Sequence, residues 1–453
     1  MISLPANYVL LERIELAASA ASIVFANIPQ SGYTDLKVVA SPRGTVSIGS
    51  AGLNIQFNGL TTNLSWRRLL GNGSSASSAS STGGARIAEL EGSDATASTF
   101  GNYEVYIPNY TSSNFKSFSS DAVNETNATT EYMGLYAGLW SATSAITSIT
   151  LVPSSGSLAQ YSTFSLYGLA AVGTTPVIAP KATGGNRIDN DGTYWYHTYT
   201  STGSFTPLQG LSCDALVIAG GGSSGIDWVP AGGGAGGLRG LTAQSFPVNS
   251  YTITVGGGGS SVSPTNGSNS TITASGFTTI SASGGGSGAV SAGNKNGVAG
   301  GSGGGGYGES GNAGTGGAGN TGSYSPVEGY AGAPGTTGGS YQSGGGGGAS
   351  GTPASPSANN GGAGGAGSSA YSSWASATST GVSGSYAGGG GGSGESTGGT
   401  GGAGGGGNGR GRSTGTSTAG TINTGSGGGG GFVGAQSGSG GGSGIVIIRY
   451  PIA

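Results

Sequence analysis

Runs of four or five consecutive glycines limit what the second half of this chain can fold into. They occupy residues 303–306, 344–348, 388–392 and 427–431, about 40 residues apart, and further runs lie at 256–259 and 404–407. Glycine loses more conformational freedom on folding than any other residue, and a run of it has no side chains with which to build an apolar core. An ordered structure made from such runs must therefore be held together by main-chain hydrogen bonds.

Two ordered structures could meet that requirement. An isolated polyproline-II strand makes no internal hydrogen bonds, but strands in a bundle can bond to one another where glycine lets their backbones approach. Collagen is excluded because glycine keeps no strict third-residue register here, and only 16 residues are proline. We therefore predict a polyglycine-II-like bundle, with a glycine-rich β-solenoid as the alternative. The intervening segments, such as TGSYSPVEGYAGAPG and SSAYSSWASATSTG, are predicted to form turns and exposed loops.

The composition changes abruptly near residue 180. Residues 1–180 contain 16 of the 104 glycines and 17 charged residues, whereas residues 181–453 contain 88 glycines and 14 charged residues. The segment TTPVIAPKATGG at this change has the Pro and Gly content that is typical of an extended linker. We predict a β-sandwich domain over residues 1–173, a linker over 174–185, and a glycine-rich domain with projecting loops over 186–453.

The first domain is predicted to be all-β. Short segments such as LNIQFNG and FGNYEVYIPN alternate apolar with polar residues and are separated by turn residues, which favours an antiparallel, jelly-roll-like sandwich. Phe164 and Leu166, like Ile149 and Leu151, have the two-residue spacing of a buried strand face. The Ser-rich stretch over residues 71–84 is predicted to be an exposed loop. In the second half, YWYHTYT, SCDALVIAG, NSYTITV, STITA and the terminal SGIVIIRYP are predicted to form one small sheet.

The composition excludes several functions. The formal net charge is −3 and only 7% of the residues are charged, against about 25% in an average protein, so no basic surface for nucleic acid is expected. No apolar run reaches the 18 residues of a membrane span, and the first residues lack the basic start of a secretory signal. With one His and one Cys in the chain, we predict no enzymatic activity, no cofactor and no metal site.

Several local patterns imitate functional motifs. The stretch GGGSSG at residues 220–225 follows an apolar strand and matches a dinucleotide-binding fingerprint, but the residues after it cannot form the helix that such a site requires. We predict that His197 is a structural histidine and that Cys213 is a small buried residue. Asp189 and Asp191 are predicted to form a turn rather than a calcium loop, and Glu89, Glu91 and Asp94 to be solvated charges rather than paired catalytic carboxylates.

Aromatic residues between the glycine runs are the best candidates for a binding role. Tyrosine and tryptophan provide rigid contact area at low entropic cost, and their faces stack on sugar rings. The alternative is that the rings pack against the sides of the bundle. The candidates for receptor binding are Tyr324, Tyr330, Tyr341, Tyr371 and Trp374.

A resemblance to a known group of proteins accounts for most of the chain. The ordered set WYHTYTSTGSFTP, ALVIAGGGSSG, GGGAGGLRG, NSYTITVGGGG, the repeated GGGGG blocks and SGIVIIRYP resembles the glycine-rich domain of virion structural proteins from marine and cyanobacterial tailed phages. GNYEVYIPNYTSSNFKSF and STFSLYGL in the first half resemble β-sandwich domains of the same proteins. In composition and architecture the chain is also similar to phage adhesins whose polyglycine-II bundle carries receptor-binding loops.

The resemblance implies a location in the virion, with the β-sandwich of residues 1–173 as the domain that attaches to the particle. It also implies two alternative functions. One is a tail fibre or adhesin subunit that binds a host cell-surface glycan or an outer-membrane protein. The other is a capsid decoration or head-fibre protein. Either would contact other virion proteins and form a homo-oligomer, with a trimer as one possibility, and neither would bind nucleic acid. A secreted bacterial adhesin is a third interpretation, which the missing secretory signal disfavours.

Overall fold

The computed structural model of the protein describes residues 8–47, 51–125, 131–170, 179–226, 228–290, 295–338, 341–432 and 438–452. These residues form 24 β-strands and one α-helix, so the all-β prediction is confirmed. One compact unit comprises Met1–Pro180, Asn186–Trp195 and Pro451–Ala453, and the other comprises Lys181–Gly185 and Tyr196–Tyr450. Within the predicted linker, residues 174–178 lie outside the described residues, and Ala182–Thr183 forms a strand.

Thirteen described strands lie in the first unit: β1 (Tyr8–Glu15), β2 (Ile23–Phe25), β3 (Tyr33–Ser41), β4 (Gly52–Phe57), β5 (Leu64–Gly71), β6 (Ala76–Ser81), β7 (Arg86–Glu89), β8 (Asn102–Ile107), β9 (Lys116–Val123), β10 (Met133–Trp140), β11 (Ile149–Pro153), β12 (Thr163–Ala170) and β14 (Arg187–Asn190). The second unit contains, in whole or in large part, β13 (Ala182–Thr183), β15 (Tyr194–Tyr199), β16 (Gly203–Pro207), β17 (Leu211–Ile218), β18 (Leu238–Phe246), β19 (Tyr251–Thr254), β20 (Ser270–Thr273), β21 (Ile280–Ala282), β22 (Gly308–Glu309), β23 (Asn312–Ala313), α1 (Ser372–Thr378) and β24 (Ile445–Pro451).

Eight strands of the first unit form a jelly roll. Their order is β1-β12-β3-β8 in one sheet and β2-β11-β4-β7 in the other. The antiparallel pairs are nested along the chain, because β1 pairs with β12, β2 with β11, β3 with β8 and β4 with β7. Two four-stranded sheets wound in this way are the double-sheet jelly roll. The predicted jelly-roll sandwich is therefore confirmed by the strand order.

The remaining strands of this unit lengthen the first of the two sheets. Strand β14 lies beside β1, and at the opposite end the order continues as β8-β9-β10-β5-β6. The Ser-rich stretch predicted to be a loop contains β6, so that prediction is wrong for residues 76–81. All six side chains of β6 are exposed, which is why the stretch lacks the alternation that predicts a strand. Pairing with β5 is what makes it a strand.

The core of the first unit lies between its two sheets. Phe164, Leu166, Ile149 and Leu151 are all buried in it, as their spacing predicts. The added strands share this core, because the ring of Phe57 on β4 lies 5.4 Å from those of Phe118 on β9 and Trp140 on β10. The added strands therefore bury their inner face on the jelly roll.

The second unit contributes strands to two larger sheets rather than forming the single small sheet predicted. One has the order β18-β17-β24-β15 and the other β13-β16-β19-β20-β21. Both edges of β17 are occupied, by β18 and by β24, so the other strands pair among themselves. Rings from both sheets meet in one cluster, in which Phe205 lies 5.5 Å from Phe246 and 5.2 Å from the imidazole of His197.

The glycine-rich body is a bundle of extended segments bonded in three directions. In the segment 220–225, main-chain N–H groups that are three residues apart donate to the same neighbouring segment. The N–H groups of Gly220 and Ser223 bond to residues 265–268, those of Gly221 and Ser224 to 439–442, and those of Gly222 and Gly225 to 231–234. A polyproline-II helix has three residues per turn, so its N–H groups point to three sides in succession. A β-ladder would repeat every two residues. The bundle is therefore of the polyglycine-II type, not a β-solenoid.

Close approach of backbones explains why the body needs glycine. A Cβ atom added at Gly221 would collide with the carbonyl of Ser426, and one at Gly390 with that of Gly428. Neither residue has a positive φ, so the requirement is for space and not for an unusual backbone conformation. The body thus replaces side-chain packing by contacts between main chains.

Candidate recognition loops

One loop of the bundle, residues 320–330, is held by two polar side chains. The Oδ1 atom of Asn320 accepts hydrogen bonds from the N–H groups of Tyr324 (3.1 Å) and Glu328 (3.3 Å), and its Nδ2 donates to the carbonyl of Tyr324 (3.1 Å). The fully buried Glu328 carboxylate accepts from the N–H groups of Gly322 (3.1 Å) and Ser283 (2.9 Å). These bonds tie both ends of the loop to each other and to the bundle.

The same loop presents apolar side chains to solvent. Val327 is 46% exposed and Tyr330 is 38% exposed. Tyr324 is half-buried because the guanidinium of Arg239, on β18, lies 3.7 Å from the centre of its ring. The Arg239 head is itself fixed by a 2.7 Å hydrogen bond to the carbonyl of Ser281. The arrangement is a preorganised apolar surface with a cation stacked at one side, which suits a ligand bound by ring stacking and apolar contact.

Tyr341 occupies a different place. Its ring lies edge-on to Phe432 at 5.8 Å, and the guanidinium of Arg412 is 5.9 Å from its centre. It also packs on a small buried cluster of the bundle that contains Val229 and Tyr307. Tyr341 is therefore half-buried, and its ring packs against the side of the bundle instead of projecting into solvent.

Tyr371 and Trp374 lie at the start of the helix α1, in a segment predicted to be only turns and loops. That prediction is wrong for residues 372–378, because Trp374, Ala375 and Ala377 turn one face of the helix inward. Trp374 is only 5% exposed, packs edge-on against Tyr196 at 6.0 Å, and has the Arg449 guanidinium 4.3 Å above its ring. Its ring has almost no surface to offer to a ligand, whereas Tyr371 is half-buried against it.

The five predicted residues thus lie at three places. Tyr324 and Tyr330 share one loop, Tyr371 and Trp374 share the helix α1, and Tyr341 is separate. The aromatic pattern of the sequence does not point to Val327, Arg239 or the two residues that brace the loop. No local pattern singles out Asn320 or Glu328, because residues able to cap a turn, such as Ser, Thr and Asn, are common between the glycine runs. Arg239 is 85 positions from Tyr324 and nothing in the local sequence links the two.

The residues whose local sequence imitates a functional motif are part of the structural framework. The main chain of Gly220–Gly225 is a bundle segment, with its N–H groups bonded to neighbouring segments. His197 is fully buried, with Nδ1 2.7 Å from the Gly184 carbonyl and Nε2 2.9 Å from the Tyr450 hydroxyl. Burial lowers the pKa of His197 to about 4, despite the bond to Gly184. Cys213 is buried as predicted.

The carboxylates divide between a turn and the interior. Asp191 Oδ1 accepts from the N–H groups of Thr193 and Tyr194, both at 2.8 Å, which confirms the predicted turn at that residue. The predicted turn is wrong for Asp189, which lies on β14, is buried and is ion-paired with Arg187.

The prediction of solvated charges is wrong for Glu89 and Glu91, because both face the interior. Glu89 forms ion pairs with Arg68 and Arg86. Glu91 is fully buried, and neither of its carboxylate oxygens has a hydrogen-bond partner among the described residues. Burial, with Glu131, Asp94 and Glu125 nearby and Arg43 opposing them, raises the pKa of Glu91 to about 7.

Two further observations concern ions and membranes. Among the described residues, no group of three or more His, Cys, Asp or Glu side chains is placed to hold a metal ion. In the same part of the chain, no helix has the length and apolar character of a membrane span.

Comparison with known proteins identifies the second half of the chain. Residues 198–451, more than half of the 453, match the family model described as a glycine-rich domain. No curated protein and no solved structure matches the chain. The matched region contains the bundle, the loop of residues 320–330 and the helix α1. The chain therefore belongs to the glycine-rich domain family.

Proposed function

We propose that this chain is a structural protein of a phage virion, a tail fibre or adhesin subunit whose glycine-rich domain binds the host surface. The observation that carries the proposal is the loop of residues 320–330, which presents Val327 and Tyr330 on a stiff scaffold. A loop ordered before binding loses less conformational entropy on contact with a ligand. The resemblance of the ordered motifs to virion proteins of tailed phages supports the biological setting.

The proposed mechanism is non-covalent. Exposed aromatic and aliphatic side chains stack on a sugar ring or pack on an outer-membrane protein, and no chemical step or cofactor is required. The near-neutral composition of residues 181–453 suits an uncharged glycan better than a polyanion. We assign the main role to Tyr330, Val327 and the Tyr324–Arg239 pair, and supporting roles to Tyr341 and Tyr371.

The test is binding of the fluorescently labelled full chain to a panel of cyanobacterial cells, measured by flow cytometry. On cells that bind the chain, we expect Tyr330→Ala to weaken binding at least tenfold. Tyr161→Ala, which removes a 63% exposed tyrosine from the first unit, is the matched control and is expected to bind normally. Normal binding by both Tyr330→Ala and Val327→Ala would overturn the assignment of the loop.

Copy number in the particle tests the alternative of a capsid decoration protein. Mass spectrometry of purified virions that carry this chain, with immunogold labelling, should find a few to a few dozen copies at the tail. Hundreds of copies spread over the head would replace the adhesin proposal by the decoration proposal.

A further inference from the structure

The outward face of β9, β10, β5 and β6 is unusually apolar for a surface. Met133, Leu135, Ala137 and Leu139 alternate along β10 with buried residues, so all four point away from the core. Met133 is 63% exposed and Leu135 is 58% exposed. A continuous apolar column on a sheet face marks an interaction site more often than isolated exposed residues do.

Strand pairing shows that this column is part of a wider patch. Val123 on β9 lies opposite Met133, and Leu69 on β5, which is 56% exposed, lies opposite Leu135. A surface groove of about 540 Å³ runs along this end of the patch. Beyond β5, the edge strand β6 adds only alanine and serine. We call these outward residues of β9, β10, β5 and β6 the apolar face.

Two charges lie on the apolar face, and they stand on opposite sides of β10. Asp121 on β9 pairs in register with Leu135, and Arg67 on β5 pairs in register with Ala137, the next outward residue. Both are exposed, and neither forms an ion pair with a described residue. From β9 across β10 to β5, the face therefore carries a negative charge, an apolar column and a positive charge.

That pattern is complementary to itself. A two-fold axis parallel to β10 places β10 of one copy on β10 of another and exchanges the β9 and β5 sides. Leucine and methionine then meet across the interface, and Arg67 comes next to Asp121 of the partner subunit on both sides. Face-to-face packing of twisted sheets with nearly aligned strands is a common arrangement in β proteins.

We propose that the apolar face binds the same face of a second copy of this chain, forming a two-fold dimer. Four strands about 4.8 Å apart and about eight residues long cover roughly 500 Å² per copy, so the dimer buries about 1,000 Å² in total. This lies near the lower limit for specific interfaces. We therefore expect a reversible dimer, whose fraction rises as the protein concentration rises. The proposal is independent of the proposed function, since it concerns only the first unit.

The test is sedimentation velocity of the full chain over a concentration series. We expect the wild type to shift from monomer to dimer as concentration rises, and Leu135→Asp to weaken dimerisation at least tenfold. Leu208→Asp, at a 63% exposed leucine of the second unit, is the matched control and is expected to dimerise normally. Circular dichroism checks that both variants remain folded.

A charge exchange tests the geometry. Asp121→Arg alone should weaken the dimer, because it brings like charges together, and the double variant Asp121→Arg, Arg67→Asp should restore it. A chain that stays monomeric at the highest concentration, or that forms a trimer insensitive to these changes, would overturn the proposal. Dimerisation that Leu135→Asp leaves unchanged would place the interface elsewhere and overturn it equally.

Discussion

Glycines in the same run have different roles at the level of single residues. In the run 256–259, a Cβ atom at Gly258 would collide with the main-chain carbonyl of Gly441, whereas one at Gly257 would meet no atom within 4 Å. Neither residue has a positive φ. The space beside each Cα therefore decides which glycines are required.

Alanine substitution of these two neighbours should separate that effect from a general loss of glycine. Gly258→Ala is expected to lower the free energy of unfolding by about 2 kcal/mol or more, because the backbone must move to admit the methyl group. Gly257→Ala should leave stability unchanged or raise it by up to about 1 kcal/mol, since it restricts the unfolded chain. Urea denaturation of both variants provides the measurement, and equal losses would contradict the explanation.

The sequence predicted inner-face residues well where alternation was strong. Phe164 and Leu166 are buried as their spacing indicated, because a strand that covers a core must repeat every two residues. Burial of Glu89 could not be foreseen, since only one of its two ion-pair partners, Arg86, is close in sequence. The other, Arg68, comes from β5, and no local pattern records that contact. Local sequence thus indicates which residues alternate, but not which distant charge compensates a buried one.

At the level of elements, the helix α1 is defined by packing and not by intrinsic signals. It has no side-chain N-cap hydrogen bond and no charged residue placed to favour its dipole in the first or last turn. Its seven residues are too few to be stable alone. Trp374 anchors it, between Tyr196 and Arg449. A helix of this kind leaves little trace in the sequence, which is why turns and loops were predicted there.

Removing that anchor should distinguish packing from recognition. Trp374→Ala is expected to lower the stability of the second unit by about 3 kcal/mol or more, as for other buried tryptophans. Ser373→Ala, at an exposed position of the same helix, should change it by no more than about 0.5 kcal/mol. Scanning calorimetry of both variants provides the comparison. Unchanged stability of Trp374→Ala would restore its role as a candidate binding residue.

The strands themselves were foreseen to different degrees. The jelly-roll strands show regular alternation, and their nested pairing agrees with the sandwich predicted from them. The polyglycine-II bundle followed from the steric demands of glycine runs. The order of its segments could not follow, because a glycine run carries no side chain that specifies a neighbour. Strand β6 is not predictable for a related reason: its small alanine and serine side chains do not alternate between apolar and polar, so no buried face can be identified.

At the level of the whole molecule, the two units contain buried groups with opposite pKa shifts. The pKa of Glu91 in the first unit is raised to about 7, so between about pH 4.5 and 7 the folded state holds more protons than the unfolded state. The pKa of His197 in the second unit is lowered to about 4, so between about pH 4 and 6.5 its folded state holds fewer. The first unit therefore loses stability as pH rises, and the second as pH falls.

Calorimetry at pH 5 and pH 8 should show this opposition. We expect the transition of the first unit to move to lower temperature at pH 8 and that of the second to move to lower temperature at pH 5, each by as much as about 3 kcal/mol in stability. Glu91→Gln should remove only part of the pH dependence of the first transition, because burial also raises the pKa values of Glu12 and Asp189 in the same unit, and it should leave the second transition unchanged. NMR titration of the imidazole, unique because the chain has one histidine, reports the second group directly. Both transitions moving in the same direction would contradict the assignment.

Bonding in three directions has a mechanical consequence for the bundle. Tension applied to one segment, such as 220–225, must shear main-chain bonds to three neighbouring segments at the same time. A β-hairpin pulled from its end can instead unzip one bond after another. Load on one segment is thus shared with three neighbours, so the glycine-rich body is expected to resist both stretching along its segments and the peeling away of a single segment.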